Sequence, residues 1–187
     1  MLFESKFESG NLYLAQKVTD NEYNLLMQND INTNGHTQWF FFQVKNTRKD
    51  MTVKFNIMNF TKVDSLFNFG MKVSIYSQAA ANGICRDDGQ HERQGWFRGG
   101  EKISYYCNAI KKDVGYTSKQ YYTLTFTYTF QHDHDVVYFA YCYPYTYSNL
   151  MQDIYDIESE PARKSICQRK TLCKSLAGVD CEMLTIT

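Results

Sequence analysis

This sequence has little proline, no excess of charge of either sign and no long apolar run. Only two prolines occur in 187 residues, and the 20 Lys+Arg residues balance the 20 Asp+Glu residues. No run approaches the roughly 18 apolar residues of a membrane-spanning helix. Polar residues follow Met1 closely, without the apolar core of a secretory signal. We therefore expect a cytosolic protein without a membrane partner.

The balanced charge also bears on nucleic-acid binding. Proteins that bind DNA or RNA gain affinity by releasing counterions from phosphates, which requires a basic surface. A chain without a basic excess and without a long run of one sign lacks that property. We expect no nucleic-acid partner.

Six cysteines are present, and no secretory signal accompanies them. They are Cys85, Cys107, Cys142, Cys167, Cys173 and Cys181. In a cytosolic chain they are expected to be buried thiols, because disulfide frameworks belong to oxidising compartments. The spacing of Cys167, Cys173 and Cys181 matches no zinc knuckle, so these three are interpreted as core thiols.

Aromatic residues are abundant: they make up 16% of the chain, with 15 Tyr and 13 Phe. Such side chains pack well on pleated surfaces, so the composition favours β-sheet. Residues 122–130 alternate aromatic or leucine side chains with threonines. This period of two predicts a strand with one aromatic face and one hydroxyl face.

The same periodicity recurs along the first 143 residues. It predicts strands at residues 11–18, 22–28, 37–44, 51–59 and 135–143, with shorter ones at 73–76 and 103–106. Residues 83–100 form the longest irregular stretch, whose length fits either a functional or a mobile loop. Many strands at short spacing without amphipathic helices between them predict a mostly β protein with an antiparallel β-sandwich.

The pattern changes after residue 143. Ser148 is a predicted N-cap for a helix whose apolar face is Leu150, Ile154 and Ile157, and Pro161 is expected to end it. Residues 166–176 and 181–187 then predict two strands around a turn at 177–180. A helix and two strands cannot bury their own faces. We therefore predict two domains, 1–143 and 144–187, the second being the incomplete start of an α/β domain.

Histidines and acidic residues were considered as metal ligands. His132, Asp133, His134 and Asp135 have liganding atoms at alternate positions, but without a remote third ligand they predict a solvated turn. His91 and Glu92 have no partner at metal spacing. We predict a hydrogen-bonded structural role for His36, and a turn rather than a phosphate site at residues 98–100.

Residues 39–42, Trp-Phe-Phe-Phe, must place aromatic side chains on both faces of one strand. One face would belong to the sandwich core. The other face would be covered by a neighbouring domain, because exposed aromatic patches favour aggregation. A ligand groove is the alternative interpretation.

Several segments together carry a family resemblance. They are residues 3–12 (FESKFESGNL), 32–33 (NT), 36–42 (HTQWFFF), 65–67 (SLF), 70–71 (GM), 95–96 (GW), 121–127 (YYTLTFT), 138–140 (YFA), 142–148 (CYPYTYS), 172–173 (LC), 176–178 (LAG) and 184–187 (LTIT). In this order they resemble the cytosolic carboxypeptidase family of the zinc carboxypeptidase clan. Val73-Ser74, Tyr141 and Val179 depart from the family pattern, which affects the expected packing only.

The resemblance implies a β-sandwich N-terminal domain followed by the first helix and two strands of an α/β zinc carboxypeptidase domain. The zinc of that clan needs a His-x-x-Glu motif and a second His, and the family motif would follow the strand at residues 184–187. No histidine follows His134, so no zinc ligand, base or substrate-binding arginine is expected in this chain, and zinc is expected only in a downstream domain.

The resulting functional prediction is a non-catalytic domain of a metallocarboxypeptidase that removes glutamates from protein tails such as those of tubulin. Its expected partners are a peptidase domain and tubulin or microtubules, in the cytosol or the cilium. One alternative is a truncated, stand-alone scaffold on microtubules or the axoneme, with a partner strand completing the edge at residues 181–187. A sugar-binding sandwich with surface Tyr and Trp is a further alternative.

Overall fold

A computed structural model describes residues 1–33, 35–85, 91–92, 95–114 and 117–187. These residues divide into two compact units, Met1–Pro144 and Tyr145–Thr187. The first unit carries nearly all the strands, and the second contains a helix, a short helical turn and a two-stranded sheet. Each unit is described by itself.

The strands follow in chain order. They are β1 Leu2–Glu4, β2 Leu12–Thr19, β3 Glu22–Met27, β4 Phe41–Lys45, β5 Thr52–Phe60, β6 Val73–Ser77, β7 Ile84–Cys85, β8 His91–Glu92, β9 Phe97–Gly99, β10 Glu101–Val114, β11 Thr117–Thr129, β12 Val136–Ala140, β13 Cys167–Lys174 and β14 Asp180–Ile186. The helices are a 3-10 turn Leu66–Phe69, α1 Gln78–Ala81, α2 Tyr147–Ser159 and α3 Pro161–Lys164.

Two five-stranded sheets form the first unit. The first sheet has the order β1-β4-β12-β6-β9, and the second has the order β10-β11-β5-β3-β2. Rings from both sheets meet between them, with Phe55 of β5 lying 6.1 Å from Phe42 and 5.2 Å from Phe139. The predicted mostly β, antiparallel sandwich is confirmed.

One pair of neighbours departs from the antiparallel pattern. Strands β3 and β5 pair in parallel, with Tyr23 opposite Phe55. The intervening strand β4 belongs to the other sheet. The chain therefore crosses the sandwich twice between β3 and β5, and this double crossing returns it to the second sheet in its original direction.

The predicted strand at 37–44 begins later than expected, at Phe41. The side chain of Asn11 explains this late start, because it forms hydrogen bonds with backbone groups that a neighbouring strand would otherwise bind. Its Nδ2 donates to the Trp39 carbonyl at 2.9 Å, and its Oδ1 accepts from the Phe41 N–H at 2.9 Å. Before Phe41, the Trp39 carbonyl is thus bound by this side chain, while the Phe40 carbonyl accepts a single backbone bond from the Tyr141 N–H at 3.0 Å.

The predicted irregular stretch at residues 83–100 contains three short strands, β7, β8 and β9. Strand β9 pairs with β6 and forms an edge of the first sheet. The turn predicted at residues 98–100 is therefore wrong at Arg98 and Gly99, which lie in this strand. Gly100 does turn the chain, with φ of 91°. Residues 86–90 and 93–94 lie outside the described residues.

In the second unit, helix α2 begins two residues earlier than predicted. Thr146 is the N-cap in place of Ser148. Its side chain accepts from the Asn149 N–H at 3.2 Å, and the Asn149 side chain accepts from the Thr146 N–H at 3.0 Å. This reciprocal capping box satisfies two backbone donors at once. The predicted apolar face holds, with Ile154 buried.

Strands β13 and β14 form an antiparallel hairpin with its turn at Gly178, where φ is 77°. An ion-pair network ties the hairpin to helix α2. Arg169 donates to the two carboxylate oxygens of Glu182 at 2.9 and 2.8 Å and to Glu158 at 3.2 Å. The hydrogen bonds from Arg169 hold the pKa of Glu182 below its ordinary value.

This lowered pKa predicts a pH dependence for the second unit. The stabilisation is fully present above the ordinary glutamate pKa of about 4.3 and is lost as the pH falls through the lower folded value. Between about pH 6 and pH 3 we expect the wild-type hairpin to lose more stability than the Glu182→Gln variant does. Amide NMR signals of β13 and β14 during urea titration measure this. Equal losses in both proteins would contradict the prediction.

Candidate interaction surface

An aromatic layer covers the outer face of the first sheet. In β4, Phe42 and Val44 point into the core, so Phe41 points outward, and the same alternation turns Tyr138 of β12 outward. We call this layer the aromatic face, and it consists of Phe7, Trp39, Phe41, Tyr76, Trp96, Tyr138 and Tyr143.

Phe41 lies at the centre of the aromatic face. Its ring centroid is 4.9 Å from Phe7, 5.9 Å from Trp96, 6.0 Å from Tyr138 and 6.1 Å from Trp39. These separations suit edge-to-face and tilted aromatic pairs. Phe41 is only 7% exposed. The four neighbouring rings contribute to this burial.

The aromatic face becomes more exposed towards the end of the unit. Tyr76 lies 5.5 Å from Trp96 and 6.0 Å from Tyr138, and Trp96 lies 6.0 Å from Tyr143. Burial raises the pKa of Tyr138, and Tyr76 adds to this effect. Tyr143 itself is 64% exposed and directly precedes Pro144. The surface thus runs from a dehydrated centre to an open margin.

A short N-terminal loop holds two of these rings in place. The indole N–H of Trp39 donates to the Ser9 carbonyl at 2.8 Å. A Cβ on Gly10 would lie 2.2 Å from the Ser5 carbonyl oxygen, so the loop needs glycine there. Phe7 lies in this loop and packs on Phe41. The pattern at residues 39–42 predicts aromatic side chains on both faces of β4, and the structure confirms this. The pattern does not reveal the contributions of Phe7, Tyr76 and Trp96.

The outer face of the second sheet is polar around Asn56. Thr125 donates to the Asn56 Oδ1 at 2.9 Å, Asn56 donates to Glu22 at 2.9 Å, and Lys54 pairs with Glu22 at 2.9 Å. The hydrogen bond from Lys54 holds the pKa of Glu22 low. The predicted hydroxyl face of the strand at 122–130 is confirmed. The two outer faces therefore differ in chemistry.

The second sheet also carries a groove of about 510 Å³. Its lining combines apolar and tyrosine side chains with a few amides and consists of Tyr13, Leu26, Met27, Gln28, Asn29, Met58, Asn59, Ile110 and Tyr121. Asn59 is committed to the backbone, since it bonds both the Met27 N–H and the Met27 carbonyl. The groove is open and has few polar side chains that could bind a ligand, so its lining does not indicate a particular ligand.

The turn at residues 132–135 is structural. Asp135 is 5% exposed and accepts from Ser77 Oγ at 2.5 Å, the Ala79 N–H at 2.9 Å and the Val136 N–H at 2.7 Å. Thr47 Oγ1 donates to the His132 carbonyl at 2.8 Å. The predicted solvated turn is wrong for Asp135, because this carboxylate supports the start of helix α1 from within the fold.

The other residues that the sequence singled out are His36, Arg98, His91 and Glu92. His36 is exposed and bonds through its backbone, whereas Thr37 is buried and bonds Asn29. The expected structural side chain is therefore Thr37. Arg98 donates from Nη1 to the carbonyls of Lys72 and Tyr141. The side chains of His91 and Glu92 lie outside the described residues.

The cysteines are not core residues. Cys107 and Cys173 are exposed, and Cys142, Cys167 and Cys181 are half-buried. The predicted buried core thiols are therefore wrong for these five. For Cys167, Cys173 and Cys181 the reason is that the second unit has too few residues to cover its two-stranded sheet. The side chain of Cys85 lies outside the described part of the chain.

The same residues, where the structure describes them, do not form a metal site. In the described ranges, no three His, Cys, Asp or Glu residues come close enough together to hold a metal ion. The acidic group best placed in sequence, Asp135, already accepts three hydrogen bonds. The described residues do not fit the zinc that the family resemblance implies. None of the helices described is long and apolar enough to cross a membrane.

Comparison with known proteins gives a consistent result. Residues 3–142 match the family described as cytosolic carboxypeptidase N-terminal domain. The chain is 48% identical over 187 residues to cytosolic carboxypeptidase 2 of Xenopus tropicalis, covering 99% of this chain and 18% of that protein. It is 44% identical over 187 residues to the human protein of the same name, covering 100% of this chain and 19% of that protein. The chain thus spans about a fifth of the length of these relatives.

Solved structures agree on the fold. A metallo-carboxypeptidase from Burkholderia cenocepacia superposes with a TM-score of 0.62 at 16% identity, over 99% of this chain and 39% of that one. A metallo-carboxypeptidase from Pseudomonas aeruginosa, in complex with (2-guanidinoethylmercapto)succinic acid, gives 0.58 at 19% identity, over 98% of this chain and 40% of that one. At these identities the likeness concerns the fold alone.

Proposed function

Because this chain belongs to the cytosolic carboxypeptidase family, as its N-terminal domain, we propose that it is a non-catalytic part of a cytosolic zinc metallocarboxypeptidase. Its role is to support the folding of the peptidase domain and to shape access to the active site. The observation that carries this role is the aromatic face.

The aromatic face is proposed as the docking surface for the peptidase domain. Tyr and Trp are enriched in the cores of protein interfaces, and an uncovered patch of this kind is a liability on a free domain. Its open margin at Tyr143 lies next to Pro144, where the sandwich unit ends. The relatives are about five times longer than this chain, which supplies an occupant: the portion of the peptidase domain that this chain does not span.

The second unit is proposed as the opening of that peptidase domain. A two-stranded sheet with a single helix is marginal by itself in water. Apolar side chains of its hairpin remain exposed, with Leu172 at 67%, Leu176 at 92% and Ile186 at 73%. These surfaces fit an unfinished layer that further strands and helices of a peptidase domain would cover.

For the whole protein we propose release of glutamate from acidic protein tails such as those of tubulin, with zinc bound by the peptidase domain. The test uses a chimera in which residues 1–187 replace the matched region of the Xenopus tropicalis relative. We expect zinc-dependent glutamate release from a peptide ending in several glutamates, and none from a matched peptide ending in glutamines. Microtubule binding by the chimera without glutamate release would instead favour a scaffold function.

The docking role predicts that substitutions on the aromatic face harm the chimera more than substitutions on the outer face of the second sheet do. Replacing Trp96 and Tyr143 with serine in the chimera is expected to lower its specific activity or its soluble yield about tenfold or more, since buried interface aromatics contribute about 2 kcal/mol or more each. The matched control replaces Tyr13 and Tyr106, exposed on the second sheet, with serine. Equal behaviour of both variants, with the sandwich still folded by circular dichroism, would refute the docking role.

A further inference from the structure

The hairpin of the second unit places two cysteines directly across from each other. Cys173 of β13 and Cys181 of β14 are register partners in the antiparallel pair. Opposed antiparallel residues have Cα atoms about 4.5 or 5.5 Å apart, and both values fall within the roughly 4.4–6.8 Å that a disulfide spans. We propose that Cys173 and Cys181 are a redox-modifiable pair that forms a reversible intrachain disulfide in the presence of hydrogen peroxide or an organic hydroperoxide.

The two side chains also influence each other in the reduced state. The Cys173 thiol is the largest cause of the raised pKa of Cys181, followed by burial and by the neighbouring carboxylates of Asp180 and Glu182. Side chains of directly opposed residues lie on the same face of a sheet. The register therefore places both sulfur atoms on one face of the hairpin, at backbone positions that a disulfide can join.

The neighbouring contacts hold this arrangement before oxidation. Lys174 and Asp180, the adjacent register partners, form an ion pair at 2.7 Å. At the turn, the Ser175 N–H donates to the Val179 carbonyl at 2.8 Å, and the Gly178 N–H donates to the Ser175 carbonyl at 2.9 Å. The folded hairpin therefore already holds the two thiols close together, so little further conformational entropy is lost when they bond. This favours an intrachain disulfide over a mixed disulfide.

The reaction balances with the peroxide as oxidant. Cys173 is the exposed partner, so its thiolate attacks the peroxide, the O–O bond breaks, and a sulfenic acid and one water or alcohol form. The Cys181 sulfur then gives up its proton and attacks the Cys173 sulfur, the S–O bond breaks, and a second water leaves. Two thiols are oxidised by two electrons, which reduce the peroxide. A dithiol reductant reverses the step.

The other described cysteines lack this geometry. Cys167 lies opposite Ile186 in the same hairpin. Cys107 lies in the other unit and its thiol donates to Gln120 at 3.0 Å. Cys167 is therefore a matched control: it belongs to the same strand as Cys173 and faces no cysteine. The proposal does not depend on the proposed function, since it concerns only the hairpin.

The experiment treats the full chain with hydrogen peroxide and maps its peptides by mass spectrometry. We expect one dominant product that has lost two hydrogen atoms, a peptide linking Cys173 to Cys181, and recovery of both thiols with dithiothreitol. Cys167→Ser should retain the product, whereas Cys173→Ser should abolish it. Oxygen addition at separate cysteines, or linkage to Cys167, would overturn the proposal.

A second measurement shows whether the disulfide forms because the folded hairpin aligns the two cysteines or only because they are close in sequence. Equilibration with reduced and oxidised glutathione is expected to favour the Cys173–Cys181 disulfide about tenfold more in the folded chain than in urea, a difference of about 30 mV. Gly178→Ala, which strains the turn at positive φ, should reduce this ratio. A ratio of one or less in the wild type would show that the hairpin does not preorganise the pair.

Discussion

Replacing Phe139 with alanine is expected to lower the free energy of unfolding of the sandwich by about 3–5 kcal/mol, the range for deleting a buried phenylalanine ring. Phe139 is fully buried in β12. Rings from both sheets surround it, at 5.2 Å for Phe55, 5.4 Å for Phe42, 5.4 Å for Tyr128, 5.8 Å for Phe126 and 6.4 Å for Phe130. The variant would leave a cavity in the middle of the core.

The size of this effect follows from rigid surroundings. Five aromatic neighbours held by two sheets cannot collapse into the space, so most of the cavity term remains. A single domain is stable by only about 5–15 kcal/mol, so the loss is a large part of the total. Phe139→Leu should cost less, because leucine fills much of the same volume.

Urea unfolding followed by tryptophan fluorescence is the appropriate measurement. The chain has two tryptophans, Trp39 and Trp96, and both belong to the first unit, so the signal reports the sandwich alone. Phe69→Ala is the control, because Phe69 is 74% exposed and should change stability by no more than about 0.5 kcal/mol. A loss below about 1 kcal/mol for Phe139→Ala would mean that the ring cluster is not the core.

The elements that sequence predicted well are those whose signal is local. The alternation in residues 122–130 comes from contacts that every residue of a covered strand makes, so it survives any topology. The apolar face of helix α2 is similar, because Leu150, Ile154 and Ile157 recur at helical spacing. Both signals need no knowledge of the partner element.

The features that sequence missed depend on distant residues. The parallel pairing of β3 and β5 is set by where β4 lies, and the late start of β4 is set by the side chain of Asn11, 30 residues away from Phe41. The N-cap at Thr146 was missed for a different reason: Ser148 is an equally good capping residue, and only Asn149 decides between them.

The aromatic face combines both cases. The pattern at residues 39–42 requires rings on the outer side of β4, so its existence could be predicted. Its extent could not, because Phe7, Trp96 and Tyr143 come from three segments that only the fold brings together. The opposite face of the sandwich carries threonines and a Glu22–Lys54 ion pair. The contiguous ring cluster is why the docking partner is proposed for the first sheet.

Replacing Asp135 with alanine is expected to lower the free energy of unfolding of the sandwich by about 3 kcal/mol, because each hydrogen bond to a buried charged group contributes about 1.5–3 kcal/mol and such losses are not fully additive. The carboxylate accepts from Ser77, Ala79 and Val136 at once. Removal would leave two backbone N–H groups and a buried hydroxyl without an acceptor. The start of helix α1 and the end of β6 would lose their common support.

Two further variants make this prediction specific. Asp135→Asn keeps one oxygen for the two backbone N–H groups and should cost about half as much. Asp20→Ala removes a carboxylate of the same chemistry that is 93% exposed and pairs with the exposed Lys17, so it should change the urea midpoint little. If Asp135→Ala behaved like Asp20→Ala, the carboxylate would be a surface group. The turn at residues 132–135 would then be solvated, as the sequence predicts. A structural role for the Asp135 carboxylate in joining β6 to the start of β12 would be ruled out.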